Sequence, residues 1–331
     1  MKISVCIPTY NRLGILQEAL SSCLVQSRPP DEILIGDDST SEETETYMRE
    51  FEKESKVRIR HIRNRPSLKQ VGNVNMLLNR AQGDLLVLLH DDDILMPDAL
   101  EKLYACFIQF PEIDAAFGKQ YMMSHEGVID ENESRLVNEI FYRTDEFAGQ
   151  RLSPFESGFL QQFPNDAYMV KSTIAREIGY SDNAGDACDF EFSLRLGLAN
   201  CKMYFLNEYT AKYRISKDAN SNKTDNNNPV LSFNMVQKLN VPDKFISRKN
   251  YWLKSCAPIA ISNAAHLGLH KKAVQLYLSK WHRTRIFSPG GIKRLLVIVY
   301  YWLRPPAREV TRQTENRLKR VSELSYNFIV G

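Results

Sequence analysis

The sequence predicts an α/β fold, a mostly parallel sheet flanked by helices and followed by a helical C-terminal extension. Two observations predict it. Short apolar runs at 3–7, 32–35, 57–62 and 85–89 alternate with helix-like segments at 12–25, 41–54, 70–82 and 97–109, the spacing of βαβ units. A polar stretch, SKDANSNKTDNNNP at 216–229, then precedes a final third in which apolar residues recur at helical spacing. The expected organisation is an α/β domain over 1–216, a polar linker over 217–229 and a helical region over 230–331.

Each element has a local reason. Leu13, Leu16, Leu20 and Leu24 form one stripe of the first helix. Ser39 with Glu42, or Thr40 with Glu43, fits a capping box that starts the second helix just after Asp38. The run 85–89 (LLVLL) is apolar throughout, as a strand covered on both faces is, and Pro97 helps start the helix that follows. Residues 119–165 are less regular and rich in polar side chains, so they read as loops over the carboxyl edge of the sheet. Near the C-terminus, 292–303 (IKRLLVIVYYWL) is apolar apart from Lys293 and Arg294, yet shorter than the ~20 residues that span a bilayer.

Composition narrows the class. With 331 residues, 43% hydrophobic and 25% charged, the chain is neither disordered nor fibrous. Its six cysteines are scattered without a CxxC pair, against a disulfide framework or zinc site. The opening MKISVCIPTYN runs straight into a strand without a leader-like segment, so a cytoplasmic chain is expected. Residues 280–331 carry 11 lysines and arginines against 3 acidic residues, a local +8, whereas the remainder, 32 against 37, is −5. Such a tail suits an anionic membrane surface at the inner face of the cell membrane; packing on the protein or a homo-oligomer interface is the competing reading. Nucleic acid is not expected, since the tail holds no recognition motif.

Four clusters carry the chemistry. Pro8, Thr9, Tyr10 and Asn11 close the first strand, where ligands of open α/β sheets bind. Asp37 and Asp38 close the second; adjacent carboxylates repel and need donors, such as a uracil-like base N–H or ribose hydroxyls. Asp91, Asp92 and Asp93 follow the apolar strand, and three such carboxylates call for a hard cation, Mg²⁺ or Mn²⁺, bridging to a diphosphate. Residues 186–196 read as the first turns of a helix whose acidic residues suit the helix dipole, or supply a carboxylate as general base toward an acceptor hydroxyl. No GxxxxGK[ST] or GxGxxG is present, so Arg65 and Lys69 are the nearby cations for phosphate oxygens.

In this order, the clusters resemble glycosyltransferase family 2, whose members have the GT-A fold, a Rossmann-type sheet. The resemblance covers approximately residues 1–216. It rests on IPTYN, Asp37-Asp38-Ser39-Thr40 for a DDGS-like turn, Asp91-Asp92-Asp93 with Pro97 for D-x-D-D with its following proline, and Cys188-Asp189 for the acidic helix start. It implies that Pro8, Thr9 and Asn11 line the nucleoside pocket, that Asp38 contacts the base and that Asp91 lies near ribose and diphosphate. It further implies Asp92 as principal metal ligand with Asp93 supporting it, Asp189 as catalytic base, and Arg214, after Tyr213, at the diphosphate. The chain departs from the pattern at His90 for the first aspartate, Cys188 for glutamate, Gly72 before Asn73 for arginine, and Ser216 for histidine.

The implied activity is inverting transfer of a sugar from a nucleoside-diphosphate sugar, a UDP-sugar favoured, to a hydroxyl of a glycan or lipid-linked saccharide. The implied setting is bacterial surface polysaccharide synthesis, of O-antigen or capsule. A degenerate binding module, suggested by the departures, and a nucleotidyltransferase are the alternatives.

Overall fold

The computed structural model describes residues 1–215 and 226–323. Ser216, Leu324, Phe328 and most of the expected linker lie outside the described residues. The chain folds as two compact units, Met1–Tyr180 with Phe192–Lys217, and Ser181–Glu191 with Asp218–Gly331.

The first unit is built on one sheet. Strands β1 (Ile3–Thr9), β2 (Glu32–Asp37), β3 (Arg58–Arg63) and β4 (Leu85–Leu88) pair in parallel in the order β3-β2-β1-β4. Helices α1 (Leu13–Leu24), α2 (Glu43–Glu54) and α3 (Lys69–Arg80) connect them. Beyond β4 the sheet turns mixed. β8 (Tyr168–Lys171) runs antiparallel to β4 and to β6 (Ala115–Met123), β6 pairs in parallel with β9 (Met203–Arg214), and β5 (Ile94–Leu95) closes the edge against β9. Strands β1 and β4 bury Ile3, Val5, Ile7 and Leu85 to Leu88, with α1 and α4 (Ala99–Gln109) contributing Leu16, Leu20, Leu100 and Leu103 to the core.

Two local expectations are corrected. Helix α2 starts at Glu43 without a side-chain cap, so neither Ser39 nor Thr40 forms a capping box. Ser39 is used elsewhere: its Oγ accepts the Asn11 backbone N–H at 2.8 Å. The polar region 119–165 is not a set of loops. It contains most of β6, the short strand β7 (Ile129–Asp130), helix α5 (Glu131–Ile140), capped by Asp130, and helix α6 (Pro154–Phe159), which has the Ser153/Glu156 capping box. Two of its polar side chains are buried against β6: Ser134 Oγ accepts the Met122 N–H at 2.7 Å and Asn138 Nδ2 donates to the Gln120 carbonyl at 2.8 Å. Both bonds pair buried side chains with backbone groups of β6.

The second unit is helical, with α9 (Asn228–Lys238), α10 (Asp243–His266), α11 (His270–Tyr277), α12 (Pro289–Leu303) and α13 (Arg308–Glu323). α10 packs against α9, α11 and α12, while α13 packs against α9 and the 3₁₀ turn Asp182–Ala187. Pro258 inside α10 has no N–H for the Lys254 carbonyl one turn back. The Arg285 guanidinium donates to that carbonyl instead, at 3.4 Å.

Glycine is required at one point near the sheet's carboxyl edge. Asn73 Nδ2 on α3 donates to the Gly36 carbonyl at 2.7 Å, and a Cβ at Gly36 would sit 2.0 Å from Asn73 Oδ1. Gly36→Ala should therefore destabilise the protein by about 1–3 kcal/mol, as overpacking of a tight core does. Urea unfolding checks this; a change within experimental error would show that α3 shifts freely.

Candidate active site

The carboxyl ends of β1, β2 and β4 lie side by side, because these strands are parallel neighbours. The loops that follow are tied together. Thr9 Oγ1 donates to Asp91 Oδ2 at 2.7 Å, and the Asp38 N–H donates to the Thr9 carbonyl at 3.0 Å. Asn11, at φ +54°, accepts the Thr40 N–H through Oδ1 at 2.9 Å. Asn11 thus straps the first loop to the second, while Tyr10 beside it is exposed.

The acid pair after β2 finds its donors inside the protein. Asp37 accepts the Ser39 N–H at 2.8 Å and lies 2.9 Å from His61 Nε2. Burial pushes its carboxyl up, but the His61 and Ser39 hydrogen bonds outweigh burial and hold it below the usual range. Asp38 accepts Asn64 Nδ2 at 2.9 Å, the Leu68 N–H at 3.1 Å and Ser67 Oγ at 3.0 Å. The donors that the adjacent carboxylates call for are therefore supplied by β3 and the loop after it, before any ligand is considered. Lys69 opens α3 just after this loop: its backbone N–H donates to Ser67 Oγ at 3.2 Å, and its side chain is exposed.

The three aspartates after β4 are neutralised differently. Arg12, at the N-cap of α1, places Nη1 2.9 Å from Asp92 Oδ2 and 3.4 Å from Asp91 Oδ1. Asp91 is pushed up to about 6 by burial first and by Asp92 second, with Arg12 and Thr9 opposing. Asp93 is buried; its Oδ1 accepts the Arg214 N–H at 2.7 Å, and its Oδ2 meets no hydrogen-bond donor among the described residues. Burial, then the neighbouring carboxylates Asp166 and Asp92, drive the Asp93 carboxyl well above its ordinary value. Asp166 is itself buried, accepting the His90 N–H at 3.1 Å and Gln120 Nε2 at 3.2 Å.

Arg214 is buried and spans the site. Its Nε donates to the Asp92 carbonyl at 2.9 Å, Nη1 to the His125 carbonyl at 2.6 Å and Nη2 to Glu18 at 2.5 Å. The guanidinium thus ties the loop after β4, through Asp92, to the turn after β6 and to α1. The cation that meets the aspartates through their carboxylates is Arg12, which sequence reasoning passed over in favour of Arg65 and Lys69. His61, Asp166 and Glu18 were also missed, because each gains its role from a partner more than 20 residues away in the chain.

One group of side chains suits a metal ion. His90, Asp92 and Asp93 each offer a ligand atom, all within 4.8 Å of one another. His90, a departure from the pattern, thus falls inside the cluster. Asp189 lies in the first turn of α8 (Cys188–Leu198), in the segment that belongs to the second unit, and is half-buried. Glu191 is only 1% exposed. Asp186 Oδ2 accepts the Asn227 N–H at 2.9 Å and the Asp186 N–H donates to Asn227 Oδ1 at 3.3 Å, which anchors the turn before α8.

Residues 4–169 match the profile of glycosyl transferase family 2. The chain belongs to that family. An uncharacterized glycosyltransferase of Methanocaldococcus jannaschii is 27% identical over 216 residues, 64% of this chain and 70% of the relative. A GalNAc(5)-diNAcBac-PP-undecaprenol beta-1,3-glucosyltransferase of Campylobacter jejuni is 30% identical over 189 residues, 52% of this chain and 58% of that one. Among solved structures, S. aureus TarS in complex with UDP aligns with a TM-score of 0.58 at 16% identity over 93% of both chains. A Pyrobaculum calidifontis mannosyltransferase with GDP-Man and Mn²⁺ aligns with the same score and identity over 91% of this chain and 87% of that one. The fold is GT-A, and this family-2 chain is a glycosyltransferase.

The raised carboxyl of Asp91 has a consequence for stability. Between about pH 4 and pH 6 the folded chain holds a proton there that the unfolded chain releases, so stability falls as pH rises through this window. A shift of this size corresponds to about 3 kcal/mol at most. With EDTA present, the thermal midpoint of Asp91→Asn should gain on that of the unaltered protein as pH rises from 4 to 6.5. A difference independent of pH would contradict the assignment.

Proposed function

We propose that the protein is an inverting glycosyltransferase that moves a sugar from a nucleoside-diphosphate sugar to an acceptor hydroxyl in the synthesis of a bacterial surface polysaccharide, O-antigen or capsule. The observation that carries this reading is the acidic cluster at the end of β4. Two hard carboxylates and an imidazole converge there, and the buried Asp93 Oδ2 still meets no donor. This donor set fits Mn²⁺ or Mg²⁺, and Asp92, Asp93 and His90 would hold the ion. When bound, such a cation supplies charge that stabilises the leaving nucleoside diphosphate.

The remaining roles belong to the chain itself. Pro8, Thr9, Tyr10, Asn11 and Asp38 surround the nucleoside, for which uridine is favoured; the solved structures with the same fold hold UDP, UDP-GlcNAc and GDP-Man. Asp91, held by Thr9 and Arg12, orients the ribose and diphosphate side of the donor. Lys69, exposed at the start of α3, serves the phosphate oxygens of the donor. Arg214 acts by fixing the loop that carries Asp92 and Asp93. Asp189 removes the acceptor proton as the hydroxyl attacks the anomeric carbon from the face opposite the leaving group, so the configuration inverts. The acceptor is a glycan or lipid-linked saccharide at the cytoplasmic face of the membrane; the Campylobacter relative's name supports a polyprenyl-linked substrate class.

Two substitutions separate binding from chemistry. Asp92→Asn should abolish the gain in UDP affinity that Mn²⁺ confers, measured by calorimetry; an unchanged metal effect would assign the ion elsewhere. Asp189→Asn should lower kcat by roughly 10²–10⁴-fold with little change in donor affinity. A loss of less than ~10-fold, below the range of a general base, would remove Asp189 from that role.

A further inference from the structure

Helix α12 has two unlike faces. Ile298 and Gly291 are buried against the second unit, and Arg294 turns back onto it, donating to the Pro258 carbonyl at 3.1 Å and the Gly290 carbonyl at 2.6 Å. The other face carries Ile292, Leu295, Leu296, Val299, Trp302 and Leu303, a continuous stripe at three- and four-residue spacing. All six are exposed, Leu296 at 64%, Trp302 at 59% and Leu303 at 78%, and Phe287 just before the helix is 93% exposed. An apolar stripe of this extent is not an ordinary feature of a solvated surface.

The charge around the stripe is of one sign. Residues 280–308 contain seven lysines and arginines and no aspartate or glutamate. Lys280, Arg283, Lys293, Arg304 and Arg308 are exposed there, and Arg304 lies over the Tyr300 ring at 5.6 Å. Trp302 and Tyr300 add the aromatic types that favour a water–lipid boundary. At 15 residues α12 is about 22 Å long, short of the ~30 Å hydrocarbon core, and no helix among the described residues is long and apolar enough to cross a membrane.

We infer that α12 lies in the plane of an anionic membrane, its apolar stripe among the acyl chains and its basic rim on the headgroups. Helices with one exposed apolar face and a basic border bind in this way. A second copy is a poorer occupant, because a two-fold contact sets this basic rim against itself. α13 takes no part. Its inward residues Thr314 and Val321 are buried in the packing against α9, and Thr311 Oγ1 donates to the Leu267 carbonyl at 2.9 Å. Docking is thus a property of α12 alone, independent of donor turnover.

The test uses the full chain with phosphatidylcholine vesicles, with and without phosphatidylglycerol. The unaltered protein should sediment with the phosphatidylglycerol vesicles and release as salt rises, and its tryptophan emission should shift to the blue, a shift lost in Trp302→Phe. Leu296→Glu with Leu303→Glu should abolish the partition. Lys293→Glu with Arg304→Glu should weaken it roughly tenfold or more, since each basic residue beside an anionic leaflet is worth about a factor of five. Because these side chains are exposed, circular-dichroism melts of the variants should match the parent. Equal partition of parent and variants would overturn the inference, as would no partition of the parent. So would a concentration-dependent dimer that the leucine variants dissolve while vesicles bind nothing, which would assign the stripe to a second copy.

Discussion

Three consecutive aspartates at the end of a buried central strand are the constraint around which the first unit is arranged. Carboxylates packed this closely and shielded from water raise one another's pKa and lose hydration. The fold answers with two arginines drawn from opposite ends of the unit. Arg12 reaches the carboxylates of Asp91 and Asp92, and Arg214 reaches the backbone of the same turn from the end of β9. The compensation is incomplete, since Asp91 and Asp93 both remain above the ordinary carboxylate range. Both carboxyls lie at the carboxyl edge of the sheet, where ligands of open α/β sheets bind, and the proposed divalent cation would lower the cost of ionising them.

The two acidic runs look alike as strings of letters but end differently, and the difference is tertiary. Asp37 and Asp38 meet His61, Asn64, Ser67 and the Leu68 N–H, donors delivered by β3 and its loop. Asp91 to Asp93 sit between β1 and β8, where the available neighbours are Thr9, Arg12 and another carboxylate, Asp166. No local pattern distinguishes the cases. The parallel strands were legible because strands covered on both faces must be apolar along their whole length, as 85–89 is. Ser134 and Asn138 misled for the converse reason: their polarity serves β6 inside the fold and not solvent. Arg12 was illegible because its partners lie 79 and 80 positions away.

The second unit shows the same division between pattern and context. Helical spacing marked the final third as helical, but only packing reveals which apolar face is spent. α13 buries its own against α9, while α12 uses Ile298 to pack and leaves its leucines outward. Arg294 and Arg285 look like members of a basic surface in the sequence, yet both also serve α10, at the Pro258 and Lys254 carbonyls. Counting charges overstates the surface; following each guanidinium to its acceptor corrects the count.

The central claim is that the residual charge at the end of β4 is completed by a divalent cation together with a nucleoside diphosphate. Electron paramagnetic resonance of free Mn²⁺ tests it most directly, because the aqueous signal falls as the ion is taken up. Titrating the unaltered protein into Mn²⁺ and UDP should remove the signal beyond what UDP alone removes, saturating at one ion per chain. A signal equal to that of UDP without protein would contradict the account.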